Sequence, residues 1–241
     1  MSKSYVTTPS EDEQASYDHT GGGVERPDLA DALDERVEGE VRFDLYTRQV
    51  YATDASLYKE RPIGVVFPTS TADVVAVTDY CAERDIPILP RGAGMSHAGQ
   101  SVNEAVILDF KRHMNDLIEV DPEAETVRVQ AGIVLDHIDN ELAEYDLQYV
   151  PKPSPSDETT VGGAIGNNST GSRSLKYGMT HDHLQEVEAV FPDGTVEILG
   201  EVAVSDLDEM GDPEGNAAER FYDAAYRIVE EESDAVEDTF P

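Results

Sequence analysis

Between residues 62 and 199 short apolar runs alternate with stripes of helical period. Pro62-Ile63-Gly64-Val65-Val66-Phe67-Pro68 is an apolar run bounded by prolines, which predicts a short buried strand. Ser70-Thr71-Ala72-Asp73 then forms a capping-box-like start, and Val74, Val77, Thr78 and Cys81 fall on one helical face behind it. Residues 86–90 and 105–109 predict two further strands, so this opening reads as a small strand–helix–strand unit. Residues 117–120 and 126–131 predict strands flanking an Asp121-Pro122 turn, and Val134, Ile138 and Leu142 stripe another helix. Residues 148–150 lead into a proline-containing loop over 151–155. Residues 184–191 and 195–199 predict a hairpin closed by Pro192-Asp193-Gly194. Upstream, residues 29–41 predict a helix and 50–58 an irregular approach; downstream, one helix is expected around 217–232. No internal repeat is present. The mixed pattern is that of an α+β protein.

These patterns divide the chain into four parts. Residues 1–28 read as a disordered acidic leader, 29–60 as a helical lead-in and 61–200 as the main domain. Residues 201–241 hold fourteen acids against Arg220 and Arg227 and read as the acidic helical start of a further domain absent from this chain.

Charge changes the picture next. The chain has 51 acidic and 17 basic residues, a net charge of −34, and its lysines are Lys3, Lys59, Lys111, Lys152 and Lys176 alone. With 39% hydrophobic residues in ordered periodicity, this is a folded protein with an acidic surface rather than a disordered one. Such a surface resembles salt-adapted, haloarchaeal-type proteins. It repels nucleic-acid phosphate and anionic lipid, so neither is an expected partner. An anionic small ligand is still admissible: at ~1 M salt the screening length is about 3 Å, which silences distant carboxylates. Hydrogen bonds to a charged group, worth roughly 1.5–3 kcal/mol each, act at contact and survive. Cys81 is the only cysteine and excludes an internal disulfide or a cysteine-ligated iron–sulfur cluster within this chain; it is expected to be a buried small apolar residue. Residues 1–27 lack the apolar core of a signal peptide, and no apolar run approaches the ~20 residues of a membrane span. The expected location is cytoplasmic.

The candidate chemistry lies in two runs of small residues about seventy positions apart. Arg91-Gly92-Ala93-Gly94-Met95-Ser96-His97-Ala98-Gly99-Gln100 leaves a predicted strand, and its glycines permit positive φ and close backbone approach to a ligand. No Gly-Lys-Ser/Thr follows, and no Gly-x-Gly-x-x-Gly opens a helix, which disfavours a nucleoside-triphosphate loop and a nicotinamide-binding domain. Alone, this run reads equally as an anion nest or as a turn without a ligand. The second run is Thr159-Thr160-Val161-Gly162-Gly163-Ala164-Ile165-Gly166. It reads either as a helix start aiming N–H groups at a ligand or as a tight packing site. Asn167, Asn168, Ser169 and Thr170 add polar side chains behind it. His181-Asp182-His183 reads as a polar loop and no metal is expected; His113 and His137 read as surface or satisfied residues. Lys176 reads as a surface lysine or as a partner for ligand charge.

Taken in order, these pieces resemble one family. They comprise Pro68-Thr69-Ser70-Thr71-Ala72-Asp73-Val74, Arg91-Gly92-Ala93-Gly94-Met95-Ser96, Val106-Ile107-Leu108-Asp109-Phe110 and Ala131-Gly132. Pro153-Ser154, Thr160-Val161-Gly162-Gly163, residues 167–171, Lys176-Tyr177-Gly178 and Asp193-Gly194 complete the set. The set resembles the FAD-binding PCMH-type domain of the vanillyl-alcohol oxidase/p-cresol methylhydroxylase superfamily, over roughly residues 45–200. Within it, the chain is most similar to FAD-linked D-2-hydroxyacid dehydrogenases of the D-lactate, glycolate and D-2-hydroxyglutarate type, above all long versions fused to an iron–sulfur domain.

The resemblance implies a two-lobed α+β domain with FAD between the lobes. It places the pyrophosphate on Arg91, Gly92, Ala93, Gly94, Met95 and Ser96. It places the flavin and ribityl chain along Pro153, Ser154, Thr160, Gly162, Gly163, Asn167, Ser169 and Gly171. It implies oxidation of a small 2-hydroxy acid to the 2-oxo acid by hydride transfer to FAD, with electrons leaving to a quinone or an iron–sulfur centre. The family commonly has Gly at the position of Ala93 and Thr at that of Met95. Covalent-flavin relatives carry His at the position of Met95, so noncovalent FAD is expected. No catalytic base is assigned, because the substrate lobe does not appear before Pro241. The competing readings are a noncatalytic flavin-binding or electron-transfer module, a truncated inactive fragment, or another superfamily enzyme such as an aldonolactone oxidase or an enolpyruvyl-sugar reductase.

Overall fold

The computed structural model describes residues 26–239; of the leader expected over 1–28, residues 1–25 lie outside them, while Pro27 and Asp28 open the first helix. Its first core is built on a four-stranded sheet of β1 (Glu40–Arg42), β2 (Gly64–Phe67), β3 (Ile88–Arg91) and β4 (Val106–Asp109). The spatial order is β1-β2-β4-β3, with β1 antiparallel to β2 and the other three strands parallel. Helices α1 (Pro27–Asp34) and α3 (Thr71–Ala82) cover one face, with the short α2 (Leu45–Val50) between them in sequence. Leu29 and Leu33 from α1, and Val74, Val77 and Cys81 from α3, pack there against Val66, Val106 and Leu108. Val65, Phe67 and Ile107 face the opposite way, under Tyr51 and Leu89. Full burial of side chains this size stabilises by roughly 1.5–3 kcal/mol each, so this sheet is the anchor of the molecule.

Asp73 ties the lead-in to that anchor. Its side chain, 3% exposed, accepts the N–H groups of Glu38 (2.9 Å), Gly39 (3.1 Å) and Thr69 (2.8 Å) and the Thr69 hydroxyl (2.9 Å). Burial alone would raise its pKa, but these donors outweigh burial and hold the carboxyl below its ordinary value. The helix expected over 29–41 therefore ends early. α1 stops at Asp34, the chain turns through Gly39, and Glu40–Arg42 adds an edge strand that pairs with β2. A Cβ on Gly39 would overlap the Phe67 carbonyl, which is why the turn sits there.

A second core follows. Strands β5 (Leu117–Asp121) and β6 (Thr126–Val129) form a hairpin packed on α4 (Leu135–Leu142) through Ile133, Leu135, Ile138, Leu142 and Ala164. Helices α5 (Val161–Gly166) and α6 (Ser174–Tyr177) come next, then the hairpin of β7 (Glu186–Val190) and β8 (Val196–Gly200). At its turn Gly194 has φ +79° and donates to the Phe191 carbonyl (2.9 Å). The acidic tail holds α7 (Val204–Met210), α8 (Ala217–Glu231) and α9 (Ser233–Thr239), more than the single helix expected; Phe221 of α8 docks on Phe191 at 5.8 Å between ring centroids. Cys81 is fully buried, and burial pushes its thiol up to about 11. No helix among the described residues is long and apolar enough to cross a membrane.

Candidate functional site

The two cores meet where the two glycine-rich runs touch. β3 ends at Arg91, and Gly92 lies so close to Thr160 that a Cβ on it would overlap the Thr160 side chain. Glycine is therefore required at 92 for the two runs to join. Further along, Gln100 Nε2 donates to Asn167 Oδ1 at 3.4 Å, a second link between the runs. Gly171 lies against the Lys152 carbonyl and the Pro153 nitrogen, which joins the proline loop to the second run. Three contacts, Gly92 with Thr160, Gln100 with Asn167 and Gly171 with Lys152, thus tie the two runs to each other and to the proline loop. The parallel strands β2, β3 and β4 point their carboxyl ends toward this junction, the general position of ligand crevices in such sheets.

The first run has an open backbone. From Gly92 to His97 no N–H group donates to an acceptor among the described residues. Gly94 is buried with φ +68°, the left-handed conformation that, next to right-handed residues, occurs in anion-binding nests. The Gly94 carbonyl accepts the Ala55 N–H (3.0 Å), which pins the loop from behind. Met95 is 37% exposed, and Ser96 is half-buried. Backbone donors in a loop fixed on both sides suit a diphosphate, so the residues present fit the group that the resemblance implied.

The second run is closed. Thr160, 1% exposed, caps α5 by accepting the Gly163 N–H at 3.3 Å. The Val161 N–H donates to the Ile133 carbonyl (3.0 Å) and the Gly162 N–H to the Ala131 carbonyl (2.8 Å). Of the two readings of this run, the tight packing site is the one these bonds describe: all three N–H groups are bonded within the protein. What α5 offers the crevice lies beyond it. Asn167 is exposed, with Nδ2 on the Gly163 carbonyl (3.1 Å), and Ser169 is held by its N–H on Ala164 (2.8 Å) and its carbonyl under Thr180 (2.8 Å from Oγ1). Gly171 donates to Ser174 Oγ (2.9 Å); Pro153 is half-buried and Ser154 exposed.

Arg91 differs from a direct phosphate ligand. Its guanidinium turns inward and donates to three carbonyls: Ser101 (2.8 Å) and Tyr51 (3.2 Å) from Nη1, and Thr53 (2.8 Å) from Nη2. It also lies over the Tyr51 ring at 5.1 Å, and a Cβ on Gly94 would sit 2.5 Å from Nη2. Tyr51 in turn donates its hydroxyl to Asp109 (2.6 Å); burial and that carboxylate push the phenol up. Tyr51, Thr53, Ser101 and Asp109 are structural partners of the site that sequence reasoning missed. They stand up to 58 residues apart along the chain, and no local pattern joins them.

The remaining polar groups organise the rim. Asn168, with φ +44°, accepts the His181 N–H at 3.0 Å and faces His181 Nδ1 at 3.0 Å. His183 Nε2 lies 2.8 Å from the Tyr177 carbonyl, and His113 Nε2 lies 3.2 Å from Glu40. Lys176 bonds the Tyr177 hydroxyl (2.9 Å), and this contact lowers the phenol's pKa.

Comparison with known proteins identifies the family. The FAD binding domain family matches residues 62–200. The chain is 35% identical over 221 residues to D-2-hydroxyglutarate dehydrogenase of Pseudomonas putida, covering 89% of this chain and 22% of that protein. It is 36% identical over 152 residues to glycolate oxidase subunit GlcD of Bacillus subtilis, covering 62% of this chain and 32% of that protein. The chain spans about a fifth of the length of the D-2-hydroxyglutarate dehydrogenase it matches. In fold it is similar to 6-hydroxy-D-nicotine oxidase of Arthrobacter nicotinovorans, with a TM-score of 0.61, 23% identity, and coverage of 68% of this chain and 36% of that one.

Proposed function

This chain belongs to the FAD binding domain family, and from that premise we propose that it binds FAD noncovalently in the crevice between its two cores and serves the oxidation of a D-2-hydroxy acid to the 2-oxo acid. The observation that carries the binding half of this reading is the run of N–H groups from Gly92 to His97 without acceptors among the described residues, with Gly92 against Thr160. Such donors, fixed before the ligand arrives, hold a diphosphate without reorganisation. Pro153, Ser154, Asn167, Ser169 and Gly171, drawn to the same crevice, are the residues we assign to the flavin and ribityl chain. Met95 offers no imidazole for a covalent link. When bound, FAD supplies the two-electron acceptor for the C2 hydride of the hydroxy acid. The protein's own part is to fix that cofactor, exclude water and orient it.

The substrate class is supported by the 35% identity to D-2-hydroxyglutarate dehydrogenase, and electron delivery to a quinone or iron–sulfur centre belongs to the same reading. We read the net charge of −34 as a surface suited to concentrated salt in the cytoplasm. The test is direct. The chain is purified in molar KCl, titrated with FAD and scanned for a flavin spectrum that is released on denaturation. Addition of D-2-hydroxyglutarate or D-lactate should bleach that spectrum in the full assembly. Binding of NAD or ATP without flavin overturns the proposal. FAD binding without bleaching in the full assembly reduces the function to a flavin-binding or electron-transfer module.

A further inference from the structure

Lys152 stands in the proline loop and is held from two sides. Its carbonyl lies against Gly171, where a Cβ would overlap it, so its backbone is locked to the end of the second run. Its ammonium reaches the other way, to α4, and bonds Asp136 Oδ1 (2.7 Å) and the Asp139 carboxylate. The two aspartates are three residues apart and share one helix face, beside the buried stripe of Leu135, Ile138 and Leu142. The same face grips the loop at both ends. Asp139 accepts the Tyr149 N–H (2.7 Å), and the Asp136 N–H donates to the Ser156 carbonyl (3.3 Å).

Burial pulls the Lys152 ammonium down, but the two carboxylates outweigh it and hold its pKa above the ordinary value; the bond from Lys152 holds Asp136 below its own. Without the ammonium, two neighbouring carboxylates repel each other and the middle of the loop has no side-chain tie to α4. Concentrated salt screens charges farther apart than about 3 Å, whereas this half-buried triad is in contact.

We infer that Lys152 is a positioning residue: clamped between Asp136 and Asp139, it sets Pro153 and Ser154 against Gly171 and so fixes the seat of the flavin ring. The inference rests on the proposal that this crevice holds FAD, with Pro153, Ser154 and Gly171 along the flavin and ribityl chain. A loop fixed beforehand loses no freedom when the ligand arrives, and a binding constellation is only as exact as the contacts that support it.

The test uses the full chain in molar KCl, with melting curves confirming that each variant is folded. FAD affinity is read by flavin fluorescence, and the seating of the ring by the visible band of FAD at saturation. Lys152→Met removes both ion pairs; affinity should fall about tenfold, and the band should move toward that of free flavin. Lys152→Arg can bond both carboxylates and should restore both readouts. Asp139→Asn keeps an acceptor for the Tyr149 N–H and removes one ion pair. It should lose about threefold, with the same change in the band. Lys111→Met breaks the more exposed pair with Glu158 and should move neither readout. Unchanged affinity and band in folded Lys152→Met overturn the inference, and so does weaker affinity with an unmoved band, which marks a merely structural role. Lys152→Arg as weak as Lys152→Met overturns it too, as does an equal loss in Lys111→Met. Where Lys152→Met does not fold, Asp139→Asn decides alone: no change in it overturns the inference. Failure of the unsubstituted chain to bind FAD is a different outcome and overturns the proposed function.

Discussion

From Gly92 to His97 the backbone N–H groups have no acceptor among the described residues, whereas those of Val161, Gly162 and Gly163 are bonded to Ile133, Ala131 and the Thr160 hydroxyl. Both runs are rich in glycine and alanine, and they touch each other at Gly92 and Thr160. One is the binding surface we propose; the other is a joint that closes the second core. Small residues permit close approach in both, and the location of the acceptors decides whether a ligand or the protein itself is approached.

The largest expected effect breaks the open run. Gly94→Val puts a branched side chain on a residue with φ +68° and drives it into Arg91. FAD affinity should fall by about 100-fold or more, roughly 2.8 kcal/mol, because both the left-handed turn and the cation beneath it are disturbed. The matching change in the closed run, Gly162→Ala, sets a Cβ 3.1 Å from the Ala131 side chain. It should cost roughly 1–3 kcal/mol in denaturant unfolding, while FAD affinity in the folded protein stays within about threefold. If folded Gly162→Ala loses FAD while Gly94→Val retains it, the roles of the two runs are reversed.

Asp73 provides a control remote from both runs. Asp73→Asn should cost roughly 1.5–3 kcal/mol in unfolding free energy and leave FAD affinity unchanged, since its donors hold the lead-in to the first core. Its folded pKa is depressed, so its contribution is fully present above the unfolded value and is lost as pH falls through the folded one. Acid unfolding of the original chain should therefore contain a step below pH ~4 that is absent in Asp73→Asn, visible in melting temperatures across that range. The smallest effect is at Thr160. Thr160→Val removes the cap on the Gly163 N–H and should cost about 1 kcal/mol of stability.

Much of the fold was legible because its signals are local. Ser70 caps α3 as expected, and Val74, Val77, Thr78 and Cys81 are its buried face. The hairpin turn at Asp193-Gly194 and the strands on both sides of it lie where turn chemistry put them. Misplaced elements are those decided at long range. β1 has three residues and exists because β2 pairs with it; α2 has six residues and is marked only by the Asp44 cap. At the crevice the small residues were legible, and the meeting of the two runs followed from their order along the chain. Which N–H groups stay open was not, since the acceptors of α5 are Ile133 and Ala131, about thirty residues upstream. The inward turn of Arg91 depends likewise on carbonyls ten to forty residues away.

The difference between the two runs is tested most directly by amide hydrogen exchange on the chain with and without FAD. The amides of Gly92 to His97 should exchange fast in the free protein and become protected when FAD is added, while those of Val161, Gly162 and Gly163 stay slow in both states. Protection gained at 161–163 with no change at 92–97 would contradict it.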